Sequence, residues 1–245
     1  MIITRHDIDI ETPTGPMRTG ICQPAAPGRY PAVLFYSEIF QRTAPILRAA
    51  ATMAGHGFIV LVPEVFHELN PIGTVLGYDE AGKDKGNSDK WTKPLESHDS
   101  DTAAMLDHLA TMDAHNGRTG SMGVCIGGHL AFRAALNPGI AAAACLYATD
   151  LHSDTLPAAP GNGSLERCGE IGGEVMMVWG RQDPHVPLDG RRKVHDALTK
   201  ADVSFAWHEV NAQHAFMRDE GDRHDPELAA LVYQQSVALF RRCLT

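Results

Sequence analysis

Ser121-Met122-Gly123-Val124-Cys125-Ile126-Gly127-Gly128 is the stretch that decides the fold of this chain. Gly117-Arg118-Thr119-Gly120 ahead of it reads as a turn leading into a short strand. His129 to Leu136 behind it reads as a helix that stops at Asn137-Pro138-Gly139. Cys125 therefore falls at a sharp strand-to-helix turn, with one glycine two residues before it and another two residues after it. Glycines at those places let the backbone turn tightly and approach its neighbours, the pattern of a nucleophile elbow. A side chain held there stands at the top of a sheet and at the positive end of a helix, where a thiolate is stabilised. The plain alternative is a small buried cysteine at a tight turn.

Outward from the elbow, strand and helix patterns alternate. Ile2 to Ile10 and Met17 to Gln23, separated by the turn cluster Thr12 to Pro16, read as an antiparallel edge ribbon. Pro31–Tyr36, Phe58–Pro63, Ala141–Tyr147 and Glu174–Gly180 are short apolar runs, as expected of strands buried on both faces. Val203 to Val210 alternates as a further strand. Helical patterns cover Ala44 to Gly55, Asp101 to Met112 (with Ser97 and Ser100 as candidate caps), Leu188 to Thr199 and Pro226 to Cys243. Leu156 to Gly163 reads as a Pro/Gly loop. The order predicts an α/β fold with a mainly parallel, doubly wound sheet in a single domain over 1–245.

Glu64 to Ser97 interrupts the alternation. It carries Gly73, Gly77, Gly82, Gly86 and three spaced aromatics, Phe66, Tyr78 and Trp91. Such a stretch reads as a long inserted loop. With Lys83, Lys85, Lys90 and Lys93 it suits either a lid over an anionic substrate or a solvated insertion.

Composition sets the outer bounds. The 245 residues are 44% hydrophobic, ample for one core, and carry 21 basic against 30 acidic side chains, a net charge of −9. That balance argues against nucleic acid or an anionic membrane surface as a partner. Cys22, Cys125, Cys145, Cys168 and Cys243 are odd in number, scattered and without a CxxC pair. They argue against a disulfide framework and for a reducing, cytoplasmic setting. The first residues lack a signal-peptide pattern, and no apolar run reaches membrane-spanning length.

A thiol nucleophile needs a base, and the base needs an orienting group. In this kind of fold they follow the nucleophile in the order acid, histidine. Asp183, in Gly180-Arg181-Gln182-Asp183, follows one buried strand; His214 follows the strand ending at Val210. Asp183 also suits a turn before Pro184, and His185 is the rival base. His56, His108, His129 and His195 fall in helical patterns and read as surface or packing residues.

Three segments carry a resemblance: Gly123-Val124-Cys125-Ile126-Gly127-Gly128, Gly180 to Pro187, and His214-Ala215-Phe216-Met217-Arg218. Together they resemble the signature segments of the dienelactone hydrolase family of the α/β-hydrolase superfamily, over a match from about Tyr30 to the C-terminus. The resemblance implies a Cys125–His214–Asp183 triad. It implies that Glu38, at a strand end in Ser37-Glu38-Ile39-Phe40, contacts the cysteine and helps generate the thiolate when substrate binds. The backbone N–H groups of Ile39 and Ile126 are then the expected oxyanion hole. Arg218 matches a substrate-carboxylate contact and Tyr147 an aromatic lining the site, and Trp91 joins them as a candidate substrate contact. Two departures stand out. Ala215 replaces a serine, and the region expected to supply a second carboxylate-binding arginine is the 64–97 stretch, which has lysines and no arginine.

The expectation is a cysteine-dependent hydrolase of ester or lactone bonds acting through a thioester, with a small-molecule substrate and no metal or organic cofactor. It is expected to be a monomer or homodimer. The alternatives are a promiscuous aryl esterase that also attacks activated phosphotriesters, a non-enzymatic reactive-thiol sensor or ligand-binding protein, and a metallohydrolase. No HxH or HExxH spacing supports the last.

Overall fold

The apolar runs become the middle of one sheet, because a strand with greasy residues on both pleats must be covered on both sides. The computed structural model describes residues 1–157, 161 and 163–245, so the loop expected over 156–163 lies partly outside the described residues. The sheet contains β1 (Ile3–Thr12), β2 (Gly15–Pro24), β3 (Tyr30–Tyr36), β4 (Ile59–Pro63), β5 (His115–Val124), β6 (Ile140–Leu146), β7 (Glu174–Gly180) and β8 (Phe205–Val210). Their spatial order is β1-β2-β4-β3-β5-β6-β7-β8. β1 pairs antiparallel with β2 and β2 with β4; the neighbours from β4 through β8 are parallel. The hairpin is longer than its sequence pattern, pairing Ile3 with Pro24 and Thr12 with Gly15. Of the two hairpin strands β1 lies at the edge, because β2 is paired on both sides, and β8 forms the opposite edge.

Helices close both faces. α1 (Ala44–Gly55) and α6 (Pro226–Leu244) bring Ile46, Met53, Val232 and Phe240 onto Phe35, Val60 and Val178. α3 (Leu95–Ala110), α4 (Ile126–Ala134) and α5 (Leu188–Lys200) bring Met105, Leu130 and Val194 onto Leu34, Leu61 and Met177. Adjacent residues such as Leu34 and Phe35 feed opposite cores, as the two-residue pleat requires. This is the three-layer α/β-hydrolase architecture with an antiparallel N-terminal edge. Among the described residues no helix is long and apolar enough to cross a membrane.

The segment from Glu64 to Ser97 is not the loop that its glycines suggest. It contains α2 (Glu80–Thr92), capped by the Asp79 carboxylate, which accepts the Gly82 N–H at 2.8 Å. A helix with two glycines and little apolar content is weak on propensity; tertiary contact maintains it. α3 likewise starts at Leu95, after Pro94, and not at Asp101. Ser97 and Ser100 are therefore inside the helix and do not cap it. Ser97 Oγ donates to the Glu68 carboxylate and Ser100 Oγ to the Ser97 carbonyl.

At the elbow, Cys125 has φ 59° and ψ −126°, a conformation rare for a residue with a Cβ. Its N–H donates to Leu146 O at 3.1 Å, and its carbonyl accepts the N–H groups of Gly128 at 3.0 Å and Thr149 at 3.2 Å. The flanking glycines are steric necessities. A Cβ on Gly123 would lie 1.9 Å from Gly127 O, and one on Gly127 would lie 2.2 Å from Tyr36 O. All of those obstacles are backbone and cannot rotate away. Gly127→Ala is expected to destabilise the chain by about 1–3 kcal/mol or more, read as a lowered midpoint of denaturant unfolding. An unchanged midpoint would show that the elbow is looser than this packing.

Candidate active site

Parallel strands put their C-terminal ends on one edge, and the polar residues that follow β3, β5, β7 and β8 collect there. Glu38 and Ile39 follow β3, Cys125 follows β5, Asp183 follows β7 and His214 follows β8. Cys125 is half-buried, whereas Glu38, Asp183 and His214 are buried.

His214 Nδ1 donates to Asp183 Oδ2 at 2.7 Å, and the other oxygen of Asp183 accepts the His185 N–H at 2.8 Å. Cys125 and His214 line the same cleft, and the two side chains interact electrostatically. Burial alone would pull the His214 pKa down. The Cys125 side chain in front of it and the Asp183 carboxylate behind it outweigh burial and push it up to about 10. Burial likewise works against the Asp183 carboxylate, but the His214 hydrogen bond prevails and holds the carboxyl below its usual range. The rival His185 meets Asp183 only through its backbone. Its ring lies edge-on to His214 at 4.6 Å, and burial, with the His214 charge, lowers its pKa. Tyr147 braces His214 from another side, with ring centroids 5.2 Å apart.

Glu38 lines the same cleft as Cys125, among Tyr78, Arg218 and His214. Burial raises its pKa, opposed by the Tyr78 hydroxyl, Arg218 and His214. Arg218 Nη1 is 3.6 Å from Oε2, and its guanidinium lies 4.0 Å from the centre of the Tyr78 ring. Glu38 Oε1 is buried without a hydrogen-bond partner. It is the kind of unsatisfied group that functional sites retain. Ile39 lines the cleft beside Cys125, and Ile126 is the first residue of α4, whose N–H has no partner within the helix.

The cleft over Cys125 and His214 holds about 520 Å³. Phe40 and Tyr78 provide its aromatic wall; Lys83, Lys90, Arg218 and Arg223 bring positive charge to it, against Asp79, Glu80 and Asp150. Of the four lysines that suited either a lid or a solvated insertion, two are outside the cleft lining. Lys85 pairs with Asp89, and Lys93 is fully buried between Glu68 at 2.7 Å and Asp101 at 2.5 Å. Lys90 is itself tied to Asp150 at 3.0 Å. Trp91 is 47% exposed, stacked under Lys90 and not in the cleft lining. Tyr147 is fully buried and lines a smaller inner cavity of about 110 Å³, which shares Glu38 and Arg218 with the cleft. His67, Glu68 and Asp101 bring their ligand atoms within 4.8 Å of one another, but the Lys93 ammonium already lies against both carboxylates. His129, in α4, is a packing residue as expected. It is fully buried, its Nε2 is 2.8 Å from Ser164 Oγ, and burial brings its pKa to about 4.

Sequence reasoning missed Arg223. It sits in the irregular Gly221-Asp222-Arg223-His224 stretch, where no periodicity marks it, and it reaches the cleft from the segment after His214. An arginine is therefore added to the cleft by a different segment from the one in which it was sought.

Sheet, elbow and the residues following β7 and β8 define an α/β-hydrolase with cysteine at the elbow. Within that class the chain belongs to the dienelactone hydrolase family, whose model matches residues 17–244. A relative from Saccharomyces cerevisiae, "Putative carboxymethylenebutenolidase", is 39% identical over 231 residues, covering 90% of this chain and 84% of that one. A "Carboxymethylenebutenolidase" of Pseudomonas sp. (strain P51) is 23% identical, with 89% and 87% covered. Among solved structures, "Putative Dienelactone Hydrolase from Klebsiella pneumoniae subsp. pneumoniae MGH 78578" superposes with a TM-score of 0.87 at 21% identity, covering 99% of this chain and 100% of that one. A dienelactone hydrolase-like promiscuous phosphotriesterase from metagenomic libraries superposes at 0.79 and 18% identity, with full coverage of both. At those identities the structural matches speak for the fold. The family makes this chain a dienelactone hydrolase-like hydrolase.

The His214 pKa of about 10 lies above the ordinary 6.5. Whatever stability its proton supplies is complete below pH 6.5 and is lost as pH rises from there to about 10. With Cys125→Ala, burial is opposed by Asp183 alone. The His214 imidazole, followed by nitrogen NMR, is expected to lose its proton at a lower pH than in wild type. Identical titrations in the two proteins would show that the Cys125 side chain does not help hold the His214 proton.

Proposed function

We propose that the chain hydrolyses ester and lactone bonds with Cys125 as nucleophile, His214 as proton carrier and Asp183 as the group that orients and charges His214. One observation supports this above the others: the 2.7 Å Asp183–His214 bond lies directly behind a cysteine held at φ 59°. A sensor needs a low-pKa thiol but no buried carboxylate aligned behind the histidine.

In this reading the Cys125 thiolate adds to the substrate carbonyl, and the carbonyl π electrons move to oxygen. The backbone N–H groups of Ile39 and Ile126 receive that oxyanion. His214 then gives its proton to the departing alkoxide, or to the opened end of a lactone, as the C–O bond breaks and a thioester remains. Neutral His214 next takes a proton from water, whose oxygen attacks the thioester carbonyl. The second tetrahedral intermediate expels the Cys125 thiolate, regenerating the ion pair. Asp183 stays ionised throughout, and its charge makes the imidazolium affordable in a buried place.

Glu38 is the conditional element. Arg218 partly neutralises it in the free protein. A substrate carboxylate competes for the same guanidinium, for which an arginine fork is well suited. Glu38 is then left buried with less compensation, which favours its protonated form; Cys125 that is still a thiol gives its proton to Glu38 and joins the thiolate–imidazolium pair. Arg223, Lys83 and Lys90 add to the pull on an anionic substrate. The relatives named carboxymethylenebutenolidase point to the same class, a lactone bearing a carboxylate. A second reading, activated aryl esters or phosphotriesters, is favoured by the roomy cleft of about 520 Å³ and its Phe40–Tyr78 wall.

Cys125→Ala is expected to lower turnover of a small activated aryl ester by roughly 10⁴ or more, to the uncatalysed background. Unchanged turnover in that variant sinks the mechanism. Arg218→Ala is expected to lose about 10–100-fold in kcat/KM on carboxylated lactones, the worth of one charge-assisted hydrogen bond, while sparing neutral esters. An equal loss on both would remove Arg218 from substrate selection.

A further inference from the structure

The loop that follows β3 carries both Glu38 and Ile39, and several of its contacts come from outside the sheet. The segment 64–97 supplies them. Leu76 N–H donates to Phe40 O at 3.2 Å, Gln41 Nε2 to Thr74 O at 3.3 Å, and Phe66 N–H to Gln41 Oε1 at 3.3 Å. Tyr78 adds an edge-on ring contact to Phe40 at 4.8 Å and a 2.7 Å hydroxyl contact to Thr43. α2 then lies directly on the loop. Gly86 is buried, and a Cβ built on it would lie 2.6 Å from the Ile39 carbonyl oxygen, 3.1 Å from its carbonyl carbon and 2.9 Å from its Cβ. The carbonyl carbon and Cβ of Ile39 are bonded to its Cα and the oxygen to that carbon, so none of the three can swing aside as the end of a long side chain would. The far end of α2 is fastened across the cleft by Lys90 to Asp150. A helix so weak in propensity and so closely seated has its glycine at this contact for a steric reason.

We propose that Gly86 is a positioning residue for the oxyanion site: the bare face of α2 fixes the carbonyl and Cβ of Ile39, and through its Cα the backbone N–H that meets the developing negative charge. The inference rests on the proposed thioester chemistry, in which Ile39 supplies one of the two donors. The segment 64–97 is then a template for the catalytic loop, and the contribution it makes through Gly86 is to the transition state, separate from the pull its cleft lysines exert on substrate. Displacing an oxyanion donor costs rate without weakening ground-state binding.

The test is Gly86→Ala, with Gly86→Ser as a second variant that adds the same Cβ on a more polar side chain, and Asp84→Ala on the exposed side of α2 as control. Alanine is the better helix former by about 1 kcal/mol, so α2 itself is not undermined. Turnover of an activated aryl ester is expressed per alkylatable Cys125, which removes any misfolded fraction. Iodoacetamide alkylation needs the thiolate but no oxyanion hole. The expected result is a fall in kcat of about 10–100-fold, with KM and the alkylation rate constant of Cys125 unchanged, and wild-type values for Asp84→Ala. Wild-type kcat in both Gly86 variants overturns the proposal. So does a parallel fall in kcat and alkylation rate, because the helix would then be supporting the whole site and not the Ile39 peptide. If the thioester reading itself were wrong, wild type would show no Cys125-dependent turnover, a result distinct from either.

Discussion

The backbone at Cys125 is the constraint on which the rest of the structure depends. A left-handed φ of 59° on a residue with a side chain costs on the order of 1–3 kcal/mol and persists only where its surroundings overdetermine it. Here they do. Leu146 on the neighbouring strand accepts its N–H, while Gly128 and Thr149 both donate to its carbonyl. Gly123 and Gly127 let the strand, the helix and the end of β3 approach to distances that exclude any Cβ. The parallel sheet thus supplies rigidity on both flanks of the turn, and the turn aims one sulfur out of it. A looser fold would let Cys125 relax to negative φ and withdraw the thiol from the cleft.

Electrostatics then act on a side chain that geometry has already placed. His214 is buried, and burial by itself favours its neutral form; the groups before and behind it reverse that preference. Asp183 bears the same tension with the opposite sign, and the hydrogen bond between them resolves both. Glu38 is the exception. It is buried, its Oε1 is unsatisfied, and part of its compensation, beside Tyr78 and His214, is an arginine at 3.6 Å that is also open to the cleft. Strain in the backbone and an incompletely satisfied carboxylate sit side by side, each held by elements with satisfied cores. In the proposed reaction both are used: the first presents the nucleophile, and the second responds to the charge of what binds.

Much of this was legible in the residues. β3, β4, β6 and β7 are apolar on both pleats, so a buried parallel sheet followed from run length alone, and strand order placed Asp183 and His214 at the same edge as Cys125. What escaped reading did so for physical reasons. α2 carries Gly82 and Gly86, which lower helix propensity, and its justification is contact with Gly77 and Ile39, which no local pattern encodes. The start of α3 after Pro94 was hidden because Ser97 looks like a cap, whereas its hydroxyl serves Glu68 in a buried cluster with Lys93. Trp91 suggested a substrate contact by its type, but helical phase turns it outward; Tyr147 turns inward against His214. Arg223 lies in an irregular stretch, and only the folded chain shows which way it faces.

The central claim is that a carbonyl carbon becomes bonded to Cys125 during turnover, and it is tested most directly by catching that bond. Rapid acid quench of the protein mixed with an activated aryl ester, followed by peptide mass analysis, should find one acyl group on the peptide containing Cys125. It should form within the first turnover and decay at the steady-state rate. Turnover at full rate with Cys125 unmodified at every time point, or with the acyl group on another residue, would contradict the account.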